Sequence, residues 1–198
     1  MYCKFFKRLI DISISFIALP FVGLISLIVA PLIYFTDRGP VFYNAKRAGK
    51  NGKPFTMFKF RSMYVNSPDL RNADGSTFNS NKDPRVTPIG RFLRKTSIDE
   101  IPQLINVLIG DMSFVGPRPI LTGIKPEDYD SVLKKRSSVR PGITGYAQAY
   151  YRNSISEQEK FKYDCFYVDN ISFKLDLKIL YKTFVSVVRK DNVFVENK

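Results

Sequence analysis

From Asp11 to Asp37 the chain reads "DISISFIALPFVGLISLIVAPLIYFTD", and no residue between those two aspartates carries a charge. As one straight helix this uncharged run of about 25 residues would reach roughly 38 Å, enough to cross a hydrocarbon core of about 30 Å with some tilt. A spanning helix is therefore the first reading, and two features favour a second. Pro20 sits near the middle, lacks the N–H for a helical hydrogen bond and crowds the preceding turn, so a kink is expected there. Basic residues flank both ends, Lys4, Lys7 and Arg8 before the run and Arg38, Lys46 and Arg47 after it, and the positive-inside rule then asks for both ends in the cytoplasm. A re-entrant helix that enters, bends near Pro20 and returns meets that request, each arm of about ten residues reaching about 15 Å deep. A cleaved signal peptide fits poorly, because the apolar run is too long and no Ala-x-Ala site follows it. Residues 1–37 are thus expected to remain as a membrane anchor, with residues 38–198 forming a cytoplasmic domain.

The net charge of +13 points to polyanionic surroundings: an anionic membrane face, phosphorylated substrates or nucleic acid. The sequence has no histidine, which excludes His-based triads, histidine zinc sites and imidazole proton transfer, leaving carboxylates, Lys, Tyr or substrate phosphate for that work. Cys3 and Cys165 are far apart and form no CxxC pair, so neither a disulfide framework nor a cysteine metal site is expected, in keeping with a reducing cytoplasm.

Past Arg38 the text turns polar and basic. "GPVFYNAKRAGKNGKPFTMFKFRSM" predicts short strands around a turn at Asn51-Gly52, because Asn-Gly favours a hairpin and aromatic and β-branched residues flank it. "KNGKPF" lacks the glycine spacing and the Lys-Ser/Thr pair of a P-loop. Residues 67–84, rich in Asn, Asp, Ser and Gly, read as a loop. The C-terminal "SFKLDLKILYKTFVSVVRK" predicts a basic amphipathic helix, its apolar face either packed on the core or lying on anionic lipid.

The chemistry concentrates in "RKTSIDEIPQLINVLIGDMSFVGPRP", Arg94 to Pro119. Pro102 cannot lie deep in a helix, so a helix is expected to start close to Asp99, with Asp99 and Glu100 in its first turn. Acids there often serve as caps and dipole partners, and Ser97 and Glu100 have capping-box spacing. The surroundings argue for more. Arg91, Arg94 and Lys95 lie upstream and Arg118 is held between prolines downstream, so several cations can converge on phosphate oxygens beside the carboxylates. One carboxylate could attack phosphorus while the other helps hold a hard cation such as Mg²⁺, the nearby positive charge permitting attack by one anion on another.

These residues resemble the small monotopic phosphoglycosyl transferases, a bacterial sugar transferase family. The resemblance runs through "KRLIDISISFIALP", the hairpin, "DPRVTPIGRFLRKTSIDEIPQLINVLIGDMSFVGPRP", "RPGITGYAQ" and "DLKILYKT", in one order over nearly the whole chain. It implies an α+β, predominantly helical fold: a re-entrant membrane helix plus a compact cytoplasmic catalytic domain with a small sheet and interfacial amphipathic helices. It also implies transfer of a sugar 1-phosphate from a nucleotide sugar, UDP-linked by expectation, to undecaprenyl phosphate at the bacterial inner membrane. Asp99 would attack the β-phosphorus, nucleoside monophosphate would leave, and the lipid phosphate would then take the sugar phosphate. Glu100 corresponds to the Mg²⁺-associated acid, and Lys59, Arg94, Arg118 and Arg152 to positions that hold phosphates.

One segment departs from the family pattern. Where relatives often continue after "RPGITGYAQ" with Asn-Gly-Arg-Asn, this chain reads "AYYRN", so Tyr150 and Tyr151 replace Asn and Gly. Tyrosine adopts positive φ less cheaply than glycine, which predicts a loop of different shape and makes Tyr150, Tyr151 and Asn153 candidates for the sugar pocket. At the expected bend, Leu19-Pro20 stands where some relatives have Ser-Pro, removing a hydroxyl able to satisfy freed backbone. A reading of another class, a non-catalytic membrane-tethered basic protein that binds lipid phosphates or nucleic acid, is disfavoured because no RNA or DNA module is recognisable and the aromatics lie mostly within apolar runs.

Overall fold

The computed structural model describes residues 2–70, 78, 80, 82–152 and 154–189. Part of the loop expected over 67–84 and the sugar-pocket candidate Asn153 therefore lie outside the described residues.

Helix α1, Lys7–Asp37, is helical without interruption through Pro20 and Pro31. Its buried residues, Asp11, Ser15, Val22, Val29 and Ile33, recur at helical spacing and form one stripe. Phe16, Phe21, Leu24, Leu27, Ile28 and Phe35 are exposed, leaving a broad apolar surface away from that stripe. Both ends of α1 dock on the rest of the chain. Near the start, Arg8 donates to the carbonyls of Val107 and Leu108, and Asp11 accepts from Phe114 N–H at 3.1 Å. Near the end, Val29 and Ile33 share a core with Phe60 and Leu93, and Asp37 takes a two-pronged ion pair from Arg61 at 2.5 and 2.6 Å.

Strands β1, Phe42–Ala48, and β2, Pro54–Phe60, form the expected antiparallel hairpin, with Phe42 opposite Phe60 and Ala48 opposite Pro54. Asn51 (φ 55°) and Gly52 (φ 74°) take the left-handed conformations that these two residue types adopt at least cost. The turn is longer than a two-residue connection: Lys50–Gly52 forms one 3₁₀ turn, closed by Gly49 N–H to Lys53 carbonyl at 2.8 Å.

Helix α2, Pro88–Thr96, starts on Thr87, whose hydroxyl accepts Gly90 N–H at 2.9 Å, with Pro88 in the first turn. Gly90 lies so close to the hairpin's exit that a Cβ would stand 1.9 Å from the Ser62 carbonyl oxygen. Only glycine permits that approach, and it sets Arg94, one turn further on, beside Ser62.

The expectation of a helix starting at Asp99 is corrected. Ser97 is the left-handed C-cap of α2 (φ 59°) and makes no side-chain cap, Ile98–Glu100 is a single 3₁₀ turn, and helix α3 runs Gln103–Ile109 behind Pro102. The capping-box spacing of Ser97 and Glu100 goes unused because Glu100 faces the hairpin's Lys59. Beyond α3 come a short parallel pair, β3 (Ser113–Val115) and β4 (Gly142–Thr144), with α4 (Ser131–Ser137) between the two strands in the chain and α5 (Tyr146–Tyr150) directly after β4.

Helix α6, Glu157–Asp169, opens with a capping box between Ser156 and Glu159. Helix α7, Phe173–Arg189, is apolar on two sides. Ile179, with Leu175 and Leu180, packs against Val115, Ala149 and Tyr167, whereas Phe173, Leu177, Tyr181, Phe184 and Val188 form an exposed stripe. One apolar side thus packs on the core, while the other remains exposed.

Candidate active site

Asp99 and Glu100 sit on the 3₁₀ turn between α2 and α3, facing the end of β2. Lys59 of β2 places its Nζ 2.8 Å from Glu100 Oε1 and 3.8 Å from Asp99 Oδ2, so one ammonium serves both acids. The strand is fixed for this purpose by Asn106, fully buried in α3. Its amide donates to the Thr56 carbonyl at 2.7 Å and its side-chain oxygen accepts Phe58 N–H at 2.9 Å. Its own carbonyl takes the amides of Gly110, Asp111 and Met112, tying the end of α3 as well. The hairpin and the acidic turn are therefore held through one amide, a role the sequence reading did not assign; an asparagine inside an apolar helical run was its only signal.

The other cations fall into two groups. Arg94 donates from Nε to Ser62 Oγ at 2.9 Å, and its charge is felt by Asp99 and by the buried Asp83. Asp83 is itself held by Arg85 at 2.9 and 2.7 Å. Arg118, 57% exposed, brings Nη1 to 4.0 Å from Glu100 Oε1, leaving most of its guanidinium turned to solvent beside the acids. Arg152 stands near enough for its charge to help ionise Glu100. Arg91 and Lys95 are exposed on α2 and do not join this group.

The two acids are driven apart electrostatically. Asp99 is only 7% exposed, and burial, reinforced by the negative charge of Glu100, pushes its carboxyl up despite Lys59 and Arg94. Burial opposes ionisation of Glu100 as well, but Lys59 and Arg118, with the direct hydrogen bond from Lys59, outweigh it and hold that carboxyl below the usual range. The result is one poorly hydrated aspartate beside a firmly ionised glutamate, ringed by Lys59, Arg94, Arg118 and Arg152. Among the described residues no three metal-ligating side chains converge. Two adjacent carboxylates still suit a hard cation that takes its remaining ligands from water and substrate phosphates, which is how Mg²⁺ is usually held.

Tyr150 and Tyr151 are part of an aromatic cluster: Tyr150 stacks on Tyr146 at 4.6 Å and Tyr151 on Tyr163 at 4.4 Å. The segment contains a positive φ, but on neither tyrosine. Tyr150 is the last residue of α5, Tyr151 has φ −124°, and Arg152 takes the left-handed conformation at φ 48°. Both rings line a cleft with Arg152, Lys182 and Arg189, the last two of which the sequence reading did not single out.

The chain is similar to known proteins over most of its length. The chain is 43% identical over 187 residues to the uncharacterized sugar transferase EpsL of Bacillus subtilis, covering 94% of this chain and 89% of that protein. It is 38% identical to the undecaprenyl-phosphate galactose phosphotransferase of Salmonella typhimurium, covering 96% of this chain and 42% of that protein. It is 42% identical to the UDP-glucose:undecaprenyl-phosphate glucose-1-phosphate transferase of Klebsiella pneumoniae, covering 90% of this chain and 39% of that protein. The chain thus matches nearly all of the shorter relative and about two fifths of the larger ones. The family model described as "Bacterial sugar transferase" matches residues 2–190, and with that extent of agreement the chain belongs to the bacterial sugar transferase family.

Proposed function

We propose that the chain transfers a sugar 1-phosphate from a nucleoside-diphosphate sugar to polyprenyl phosphate through a covalent intermediate on Asp99. The observation that carries this reading is the buried Asp99 beside an ionised Glu100, both served by Lys59. A carboxylate shielded from water is a better nucleophile than a hydrated one, and fixed cations offset the repulsion of a phosphate.

In the first step an Asp99 carboxylate oxygen bonds to the β-phosphorus as the bond from that phosphorus to the bridging oxygen breaks. The bridging oxygen leaves with nucleoside monophosphate. In the second, a phosphate oxygen of the lipid displaces Asp99, which returns to its carboxylate form. Lys59, Arg94 and Arg118 hold and neutralise phosphate oxygens, the exposed guanidinium of Arg118 being the most accessible of the three. Glu100 would help hold Mg²⁺, which when bound would neutralise phosphate charge.

The same proposal puts the chain at the cytoplasmic face of the bacterial inner membrane, initiating synthesis of a surface glycan. Helix α1 is inserted and returns, so residues 1–37 form an anchor and residues 38–198 the catalytic domain. Support comes from Arg8 at the Val107 and Leu108 carbonyls and Asp37 at Arg61, contacts that bring both ends of α1 to one body. The names of the Salmonella and Klebsiella relatives, which specify undecaprenyl phosphate, support the acceptor.

The test uses the full chain in phosphatidylcholine nanodiscs with a panel of nucleotide sugars. Nucleoside monophosphate should be released, and a donor labelled in the sugar should label the protein when acceptor is absent. Asp99→Asn should abolish both; turnover near the wild-type rate in that variant would refute the covalent mechanism.

A further inference from the structure

A cleft of about 210 Å³ lies between α5 and α7, separate from the acidic turn and lined by Tyr150, Tyr151, Arg152, Lys182, Ser186 and Arg189. Its volume falls below the roughly 300–1,000 Å³ of pockets that enclose whole drug-sized ligands, which suits a headgroup rather than a nucleotide sugar. Lys182, Ser186 and Arg189 recur at helical spacing and share the face of α7 turned toward α5. Neither Lys182 nor Arg189 has an acidic partner among the described residues, and Lys182 Nζ lies 5.8 Å from the Tyr150 ring centre. The wall opposite is stiff, because both tyrosines are stacked on neighbouring rings. The cleft is therefore a prebuilt cationic recess.

Two neighbours indicate what enters it. Arg152 lines the cleft, and its positive charge also helps keep Glu100 ionised. Tyr181, Phe184 and Val188, further round α7 from the cations, are 71%, 67% and 62% exposed, an apolar strip on the outward side of the same helix. A ligand with an anionic head and a long apolar chain matches both surfaces at once.

We infer that the α5–α7 cleft seats the phosphate of the lipid acceptor, a phosphomonoester on an isoprenoid chain, with Lys182 and Arg189 holding it beside Arg152 and the strip on α7 meeting the chain. This rests on the proposed transferase reading for its consequence in turnover, but binding tests it independently. The experiment compares wild type with Lys182→Ala/Arg189→Ala, and with the charge-preserving Lys182→Arg/Arg189→Lys, as full chains in nanodiscs of phosphatidylcholine alone.

Without donor, crosslinking of a photoactivatable isoprenoid phosphate should saturate at about tenfold higher concentration in the alanine pair and near the wild-type concentration in the charge-preserving pair. With donor, the acceptor KM should rise by about the same factor, while single-turnover monophosphate release without acceptor stays within about twofold. Unchanged crosslinking overturns the inference, as does a rise in donor KM with acceptor KM unaltered. If acceptor KM differs only when phosphatidylglycerol is added, the cations serve the membrane surface and the inference fails. If inorganic phosphate competes with the acceptor in wild type, and the alanine pair abolishes that competition without changing acceptor KM, the cleft takes free phosphate and the inference fails again. Absence of monophosphate release from the wild type with every donor would sink the proposed function, while the crosslinking comparison would still decide the site.

Discussion

Asp176→Asn tests how firmly the start of α1 and the residues before it are joined to α7. Asp176 receives Tyr2 Oη at 2.6 Å, Lys7 Nζ at 2.6 Å and Tyr167 Oη at 2.7 Å, and the Tyr167 hydroxyl also lies 3.2 Å from the Val115 carbonyl in β3. Lys7 and Asp176 side chains are 13% and 6% exposed, so the pair is shielded from water. The asparagine keeps the shape but leaves the Lys7 ammonium unpaired, and breaking a buried pair from one side costs roughly 3–5 kcal/mol. At about 2–4 °C per kcal/mol for a chain of this size, the unfolding midpoint should fall by roughly 6–20 °C. Lys7→Met removes the orphaned charge instead, leaving Asp176 with two phenol donors. Combined with Asp176→Asn it should destabilise less than the sum of the two single changes, by about 1–3 kcal/mol of coupling. Thermal and urea unfolding of all four chains in nanodiscs provides the cycle. A midpoint for Asp176→Asn within a degree or two of wild type, or strictly additive single effects, would refute the argument.

Acid should inactivate the enzyme earlier than an ordinary aspartate predicts. Burial raises the Asp99 carboxyl, and in the proposed mechanism that carboxyl must be ionised to attack, so single-turnover rates should fall as pH drops through a midpoint above about 3.9, with Glu100 still charged. A midpoint at or below that value would contradict the assignment. Cys3 is exposed beside α1, and if both ends of that helix lie on the cytoplasmic side, as proposed, it should resist an impermeant thiol reagent in intact cells but react once the membrane is opened; labelling in intact cells would establish a spanning helix. Tyr150→Asn/Tyr151→Gly removes the stiff wall of the α5–α7 cleft, so acceptor KM should rise with donor ranking unchanged. A reordering of donors by roughly 10 to 200-fold would instead assign these rings to the sugar pocket.

Much of this protein is local and so was legible in the sequence. A run without charge from Ile12 to Thr36 can only be apolar helix or core, and Asn51-Gly52 between aromatic stretches dictates a hairpin, because both follow from residue type and spacing. Asp99, Glu100 and the basic residues around them were nameable for the same reason: they stand in one short segment or match motifs in fixed order. The exact turn was not legible, since Pro102 allows either a helix from Asp99 or a separate 3₁₀ turn, and the choice falls to the Lys59–Glu100 pair formed across 41 positions. Tertiary structure likewise decided that Arg94 meets Ser62, that Asn106 pins β2, that both ends of α1 dock on one body, and that Lys182 and Arg189 face the tyrosines. Such contacts join residues far apart in the chain. A lysine or asparagine bears no local mark of its distant partner, so only the packed chain reveals which charges share a site.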